Sequence, residues 1–384
     1  MGSDPRGEYT VTSAPGRLVS LLQNPPHAFH RLLARRAEWT LAAGSALAVL
    51  LVLGVAEAAL RVRGPVRAGG LQALHRYSEV YGWEPRPGVH VMQSGKSVSV
   101  NRAGYRGREA SRQGDGRETR VLLLGDSIAF GLEVGDHETF AHRLDLEDGF
   151  EVVNLAVDGY GPDQSLLKLE REGLGFRPDV VIMNVCLEND FADALSPTFL
   201  YDGAHPKPYF RLEGGDLVLY DAHLRLGPRH RLGLALRERS RLFGVVAAAL
   251  DRRLGAPPHW LDRREALLQG PQAEALTLAL VGRMGALARD GGAEFLVALH
   301  PGRDSFRRRS HWTKAFIGAR ALAGARVVEM REAYLARGLE AGALVMDHVG
   351  HLTPEGHRAA AEILRGVLRT REAPAVDAAS EHVG

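Results

Sequence analysis

The chain has 384 residues, 45% of them hydrophobic, which is long and apolar enough for one large folded domain with additional segments. Its 48 basic residues nearly balance its 46 acidic residues, and the lack of a strong net charge argues against nucleic acid as a partner. The single cysteine, Cys186, excludes an internal disulfide and a cysteine-based metal cluster.

The first predicted elements are a tail over residues 1–38 and a transmembrane helix over residues 39–60. The tail is rich in proline, glycine and arginine, and we expect disorder except where residues 27–36 begin a juxtamembrane helix. Residues 39–56 read WTLAAGSALAVLLVLGVA without a charge, and at ~1.5 Å per residue they extend roughly 27 Å, close to the thickness of a bilayer's hydrocarbon core. No polar stripe recurs with helical spacing, which favours a membrane span over a soluble core helix.

The flanks of this helix bear on its topology. No small-x-small cleavage site clearly follows it, which favours an uncleaved anchor over a signal peptide. Arginines flank both ends, so the positive-inside rule gives no clean orientation. Because the N-terminal tail is short, the simplest topology leaves it in the cytoplasm. We therefore expect a single-pass membrane protein whose main domain is extracytoplasmic.

Apolar runs alternate with helical stretches from residue 119 onward, after an ordered, loop-rich preface over residues 61–118. The runs lack polar alternation, as expected for strands covered by helices on both faces. The predicted strands are residues 120–124, 151–155, 180–185, 294–299 and 326–328, and the predicted helices are residues 139–146, 164–172, 271–290 and 310–322. This alternation predicts a parallel, doubly wound sheet over residues 119–372, with functional residues at the carboxyl ends of its strands.

An insertion over residues 196–260 interrupts this domain. Its segment PYFRLEGGDLVLYD predicts a β-hairpin around Gly214 and Gly215, and residues 240–253 predict an amphipathic helix. An insertion after the carboxyl end of a strand tends to cover an active site. Residues 373–384 are expected to form a solvated tail.

A serine follows the first predicted strand at a sharp turn, in the sequence VLLLGDSIAFG. Ser127 stands between that strand and a helix, a position in which its hydroxyl and its backbone N–H can both face a ligand. The alternative is a helix N-cap, since aspartate and serine are favoured there. Three further loops favour the nucleophile: NLAVDGYGPDQ with Gly159, VCLENDF with Asn189, and MDHVGHLTPEGH with His351.

These four motifs together resemble the SGNH hydrolase family, also called GDSL-like lipases and esterases, over residues 120–368. The resemblance implies a flavodoxin-like three-layer α/β/α fold with a mostly parallel five-stranded sheet. It implies that Ser127 is the nucleophile and His351 the general base, and that the N–H groups of Ser127 and Gly159 and the Asn189 amide form an oxyanion hole. The segments YGW and NRAGYRG are similar to the preface of membrane-anchored bacterial members.

The acid that orients the histidine departs from the family pattern. Members place it three residues before the histidine, and that residue here is His348. Asp347 lies four residues before His351, with Gly350 as the extra residue. Because a glycine can bulge, we expect Asp347 to orient His351. Without a bulge, serine and histidine would act as a dyad.

Three functions fit these motifs. The first is a serine esterase that cleaves carboxylic esters, with O-acyl groups of an envelope glycan as the substrate that an anchored position suggests. The second is an O-acyltransferase that uses the same residues and works with envelope acyl-transfer partners. The third is a non-catalytic glycan-binding module, which the intact serine, glycine, asparagine and histidine argue against. No cofactor and no metal is expected.

Five other residues in or near these motifs are not assigned a catalytic role. Asp126 and Asp190 are expected to brace loops through backbone N–H groups, and Cys186 to be inert and buried. His357 is expected on a polar face of the last helix. His300 either lines the pocket or is a loop histidine that the backbone satisfies.

Overall fold

The computed structural model describes residues 27–62, 74–93, 95–112, 119–145, 149–199, 205–254, 270–319, 322, 324–347 and 349–370. The predicted disorder before residue 27, the predicted tail over residues 373–384 and the position of His348 lie outside these residues. The chain divides into two compact units. One comprises Met1–Val66 and Glu238–Val246, and the other comprises Arg67–Arg237 and Ala247–Gly384.

The first unit is dominated by one long helix, α1 (His27–Val62). Its segment Glu38–Val62 contains a window with a mean hydropathy of 2.1 that is 0% buried within the protein. By length and composition, this is the one helix of the described residues able to cross a membrane. It contains the predicted span over residues 39–60.

Within the described residues, the strands of the second unit form one central sheet and three small antiparallel pairs. In chain order they are β1 (His75–Ser78), β2 (Gly82–Pro85), β3 (His90–Gln93), β4 (Lys96–Ser99), β5 (Thr119–Leu124), β6 (Phe150–Asn154), β7 (Val180–Cys186), β8 (Tyr209–Glu213), β9 (Asp216–Tyr220), β10 (Glu294–His300) and β11 (Arg326–Glu329).

Helices connect and cover these strands. After α1 they are α2 (Ser127–Phe130), α3 (Phe140–Asp145), α4 (Pro162–Arg171), α5 (Asp190–Leu195), α6 (Pro228–Arg239), α7 (Arg241–Leu254), α8 (Gly270–Asp290), α9 (Arg303–Arg307), α10 (His311–Gly318), α11 (Met330–Leu335), α12 (Ala341–Leu344) and α13 (Pro354–Thr370).

The central sheet has the order β11-β10-β7-β5-β6, and all its neighbours are parallel. Counted along the sheet's own strands, this is the 2-1-3-4-5 order of flavodoxin-like folds, with β5 as the first strand. The five predicted strands are therefore confirmed. The order puts the carboxyl ends of β5, β6 and β7 side by side, and that edge carries the predicted serine, glycine and asparagine loops.

Helices pack on both faces of the sheet because its strands bury side chains in both directions. Along β5, Leu122 and Leu124 face one apolar cluster with residues of α4 and α8, whereas Val121 and Leu123 face another with residues of α3 and α13. All four side chains are fully buried. Strands without polar alternation are what such two-sided burial requires, so the predicted three-layer α/β/α architecture is confirmed.

The preface and the insertion contain more regular structure than loops alone. The preface forms two antiparallel pairs, β1 with β2 and β3 with β4, which are too short for a periodic sequence signal. In the insertion, β8 and β9 form the predicted hairpin. Gly214 and Gly215 both have positive φ, as a tight two-residue turn between strands requires.

Candidate active site

The nucleophile turn depends on two residues that precede the serine. Gly125 has φ +144, and a Cβ there would lie 2.9 Å from the Asn184 carbonyl oxygen, so a larger residue would not fit. Asp126 then caps α2, with Oδ1 accepting a hydrogen bond from Ile128 N at 3.0 Å. The aspartate is thus the cap, which leaves the Ser127 hydroxyl free for another partner.

That partner is a histidine from the far end of the chain. His351 Nε2 lies 2.8 Å from Ser127 Oγ, and His351 Nδ1 lies 2.6 Å from Asp347 Oδ2. The other carboxylate oxygen of Asp347 accepts hydrogen bonds from Gly350 N at 2.9 Å and from His351 N at 3.2 Å. Serine, histidine and aspartate therefore form one continuous chain of hydrogen bonds.

The extra residue between acid and histidine is accommodated by a glycine contact. Gly350 has φ +109, and a Cβ there would lie 2.8 Å from Gly302 Cα and 2.9 Å from the Pro301 carbonyl oxygen. Behind this bulge the loop closes on itself, because Met346 N donates to the His351 carbonyl oxygen at 2.8 Å. A side chain at either glycine would push the histidine loop away from the sheet.

The electrostatics of the pair suit a base and its orienting acid. Burial lowers the pKa of His351, but the hydrogen bond that it donates to Asp347 and the charges of Asp347, Asp126 and Asp158 outweigh burial and raise the pKa above its ordinary value. Burial raises the pKa of Asp347, yet the hydrogen bonds from His351 and Gly350 hold it below its usual range. Asp347 is therefore a carboxylate at neutral pH.

Two backbone N–H groups predicted for the oxyanion hole, Ser127 N and Gly159 N, donate no hydrogen bond to any described residue. Gly159 has φ +77, and a Cβ there would overlap the ring of Phe199. Its loop is tied to the nucleophile turn by the hydrogen bond from Val157 N to the Gly125 carbonyl oxygen at 3.1 Å. Buried, unpaired donors are costly unless a ligand uses them.

The predicted third donor is held by two carboxyl groups. Asn189 follows β7 and is buried, and its Nδ2 donates to Asp193 Oδ2 at 2.7 Å and more weakly to Asp126 Oδ2 at 3.4 Å. Burial raises the pKa of Asp193 to about 8, against the lowering effects of Lys207 and the Asn189 hydrogen bond. The short bond uses one amide hydrogen, so only the hydrogen on the long contact is available to a ligand.

Sequence reasoning missed an aromatic clamp on the Gly159 loop. Trp83 of β2 donates from Nε1 to the Asp158 carbonyl oxygen at 2.9 Å, and Tyr160 donates from its hydroxyl to the Trp83 carbonyl oxygen at 2.6 Å. The Trp83 ring also meets Phe199 edge-on, with 5.3 Å between ring centroids. The segment YGW was visible in the preface, but nothing local indicates that it contacts a loop 75 residues away.

The predicted loop braces are confirmed. Asp126 accepts from Ile128 N, as described for the nucleophile turn, and Asp190 Oδ2 accepts from Cys186 N at 2.9 Å. Cys186 itself is fully buried at the end of β7. These contacts fix the loop ends on which Ser127 and Asn189 stand.

The prediction for His357 is wrong. It lies on the buried face of α13, where its Nδ1 accepts from Phe140 N at 3.2 Å and its ring stacks on Phe140. His300 is also fully buried, and neither of its ring nitrogens has a hydrogen-bond partner among the described residues. It therefore is not satisfied by backbone among these residues, and its ring also stacks with Phe140.

These two histidines are expected to make the fold sensitive to acid. Burial lowers the pKa of His300 to about 3 and that of His357 well below its usual value, so both are neutral when folded but protonate when unfolded below about pH 6.5. Stability is retained above that pH and lost as pH falls, by up to about 1.4 kcal/mol per pH unit for each histidine. Urea unfolding at pH 7 and pH 5 measures this, and His300→Leu should reduce the slope. An unchanged slope in that variant contradicts the assignment.

No family model matches this sequence, and no curated protein matches it significantly. Solved structures similar to it include TesA (15% identity, covering 66% of this chain and 98% of that one, TM-score 0.37). Others are a GDSL-like lipase from Bacteroides thetaiotaomicron (12%, 68% and 92%, 0.32) and an acetyl xylan esterase (14%, 65% and 99%, 0.36). At such identities and TM-scores, these structures carry no inference about the activity or substrate of this protein.

Proposed function

We propose that the protein is a membrane-anchored serine esterase of the SGNH type, which hydrolyses carboxylic esters through an acyl-serine intermediate. The hydrogen-bonded chain from Ser127 through His351 to Asp347 is the observation that supports this proposal. A serine hydroxyl is a weak nucleophile until a neighbouring base takes its proton, and this chain supplies the base and the acid that orients it.

In the first half-reaction, Ser127 Oγ attacks the ester carbonyl carbon while His351 Nε2 takes the hydroxyl proton. Negative charge develops on the carbonyl oxygen and is stabilised by the N–H groups of Ser127 and Gly159, with the Asn189 amide as third donor. Asp347 stabilises the imidazolium that forms. Collapse of the tetrahedral intermediate breaks the ester C–O bond, and His351 returns the proton to the departing alcohol.

In the second half-reaction, water attacks the acyl-serine carbonyl and His351 takes a proton from it. The same donors stabilise the second tetrahedral intermediate. Its collapse releases the carboxylic acid and returns the proton to Ser127 Oγ. A sugar hydroxyl in place of water would make the reaction an acyl transfer with the same residues.

The anchor and the substrate complete the proposal. The apolar helix α1 serves as a single membrane span and the catalytic domain is extracytoplasmic. O-acyl groups on an envelope glycan are the substrate class that suits this position. The apolar character of α1 supports the anchor.

The test uses the full-length protein in detergent. It is expected to release p-nitrophenol and acetate from p-nitrophenyl acetate, and a fluorophosphonate probe is expected to add to Ser127, as mapped by mass spectrometry. Turnover that appears only when a glycan acceptor is added would indicate the acyltransferase. Folded protein that neither reacts with the probe nor turns over substrate, yet binds glycan, would indicate a binding module.

Replacing Asn189 with alanine is expected to lower kcat by roughly 10²- to 10³-fold, the usual effect of losing one oxyanion donor. KM should change little, because the contact forms mainly in the transition state. Steady-state kinetics on p-nitrophenyl acetate measure both parameters. Asn189→Asp, which keeps the shape but replaces the donor with a carboxylate, should be at least as damaging. A near-wild-type kcat in both variants would show that Asn189 is not a donor of the oxyanion hole.

The pH dependence of kcat/KM is expected to show an acid limb above the ordinary histidine pKa of 6.5. The base must be neutral to take the serine proton, so a raised pKa requires a higher pH for half-maximal activity. The pH–rate profile of wild-type protein measures this limb. Asp347→Ala removes the interaction that raises the pKa and should move the limb to lower pH. If the limb does not move in this variant, it does not report the ionisation of His351.

A further inference from the structure

One carboxylate interrupts the apolar character of α1 near its end. Glu57 Oε1 accepts hydrogen bonds from Arg61 Nε at 2.7 Å and from Arg241 N at 3.1 Å. Its Oε2 accepts from Leu242 N at 2.9 Å and from Ser240 Oγ at 3.0 Å. The side chain of Glu57 therefore caps the start of α7, and all these contacts lie within the first compact unit.

Further hydrogen bonds join the same segments. Arg61 Nη2 donates to the Arg239 carbonyl oxygen at 2.8 Å, and Arg241 Nη1 donates to the Leu60 carbonyl oxygen at 3.1 Å. The end of α1 thus donates to the segment before α7, and the start of α7 donates to the end of α1. This fixes the start of α7 at the level of Glu57 along the axis of α1.

The level of Glu57 is suited to the membrane interface at one end of the apolar span. From Glu38 to Glu57, at ~1.5 Å per residue, α1 extends roughly 28 Å, about one hydrocarbon thickness. Trp39 stands exposed at the opposite end of this span, the place that tryptophan favours at a membrane interface. A carboxylate paired with arginine and backbone donors at the other end avoids the cost of an unpaired charge in lipid.

Apolar side chains that follow the capped turn are left partly exposed by the described residues. Phe243 and Val245 are each 37% exposed, and Val246 is 48% exposed. A phenylalanine and two valines next to arginines are what an interfacial helix presents to acyl chains and anionic headgroups.

We propose that the first turns of α7 lie in the membrane interface, where Phe243, Val245 and Val246 contact lipid and Glu57 holds the segment in place. This inference rests on the proposed membrane anchor. It gives the protein a second membrane contact, supplied by the insertion and separate from the span itself. The alternative occupant, a protein partner, is an outcome of the test below.

The test places an environment-sensitive fluorophore on full-length protein reconstituted in vesicles of phosphatidylethanolamine and phosphatidylglycerol. Cysteine is introduced in Phe243→Cys and Val246→Cys, and in Leu50→Cys as a marker for the span. The native Cys186 is buried and does not compete for the label. At residues 243 and 246 we expect a blue-shifted emission and loss of fluorescence with nitroxide-labelled lipid. When Glu57→Ala is added to Phe243→Cys, the blue shift and the quenching should both disappear. Glu38→Ala, which replaces a glutamate at the other end of the span, should leave both unchanged.

The outcomes separate this inference from the anchor. If the fluorophores at residues 243 and 246 emit as in water while the fluorophore at residue 50 is quenched by lipid, the interfacial helix is overturned and the membrane span stands. Aqueous emission at all three would overturn the anchor as well. A blue shift at residues 243 and 246 that lipid nitroxides do not quench would indicate a protein partner and overturn the lipid contact. Activity on p-nitrophenyl acetate, measured in parallel, shows that each variant is folded.

Discussion

Replacing Ser127 with alanine is expected to lower kcat on p-nitrophenyl acetate by roughly 10⁴- to 10⁶-fold, the usual loss when a serine nucleophile is removed. Without Oγ there is no acyl-enzyme, and His351 has no hydroxyl proton to accept. The remaining oxyanion donors still accelerate attack by water, so a small residual rate is expected. Stopped assays with wild-type and variant protein at matched concentration measure the ratio.

The fold should survive this substitution. Asp126, not Ser127, caps α2. Alanine at residue 127 therefore leaves the cap in place and removes only one buried hydroxyl. A matched control is Ser165→Ala, which removes a buried hydroxyl on α4 that has no hydrogen-bond partner among the described residues. Its kcat should equal that of wild type. If Ser127→Ala retained more than about one tenth of the wild-type kcat, a serine mechanism would be untenable.

Replacing Asp347 with asparagine is expected to lower kcat by about 10⁴-fold at neutral pH, although the substitution only replaces one carboxylate oxygen with an NH₂ group. Asp347 Oδ1 accepts from Gly350 N and His351 N, so the asparagine must keep its carbonyl oxygen there and turn its NH₂ toward His351 Nδ1. Nδ1 then becomes an acceptor and the ring proton moves to Nε2. A histidine with its proton on Nε2 cannot accept the proton of Ser127.

The alanine variant distinguishes tautomer control from loss of charge. Asp347→Ala leaves Nδ1 free to carry its proton, so it should be less impaired than the asparagine variant. Asp304→Asn, on an exposed residue of α9, is the control for an acid-to-amide change elsewhere. A deficit of less than about tenfold in Asp347→Asn would indicate that Ser127 and His351 work as a dyad without the acid.

The fold was predictable from sequence because its signals are local and repeated. Runs such as VLLL in β5 lack polar alternation, a pattern typical of a strand covered on both faces. Helical stretches between the runs then require parallel crossovers. The short strands of the preface escaped prediction because four residues are too few to show a period.

The polar interior was less predictable. His357 stands in the sequence PEGHRAAAEIL, where a polar face is as plausible as a buried one, and only the packing of α13 against α3 places it beside Phe140. The clamp of Trp83 on the Gly159 loop likewise joins segments that share no local signal. Contacts between distant residues depend on the relative positions of packed elements, which no window of sequence contains.

The sequence by itself determined the sheet, the apolar helix and the order in which serine, glycine, asparagine and histidine follow the strands. These depend on hydrophobic periodicity and turn residues, which act over a few positions. Only the tertiary structure decided that Asp347 reaches His351, because the bulge at Gly350 requires the close approach of Gly302 from another loop. Likewise, only the tertiary structure paired Glu57 with the start of α7, since Glu57 and Arg241 are separated by 184 residues in the chain.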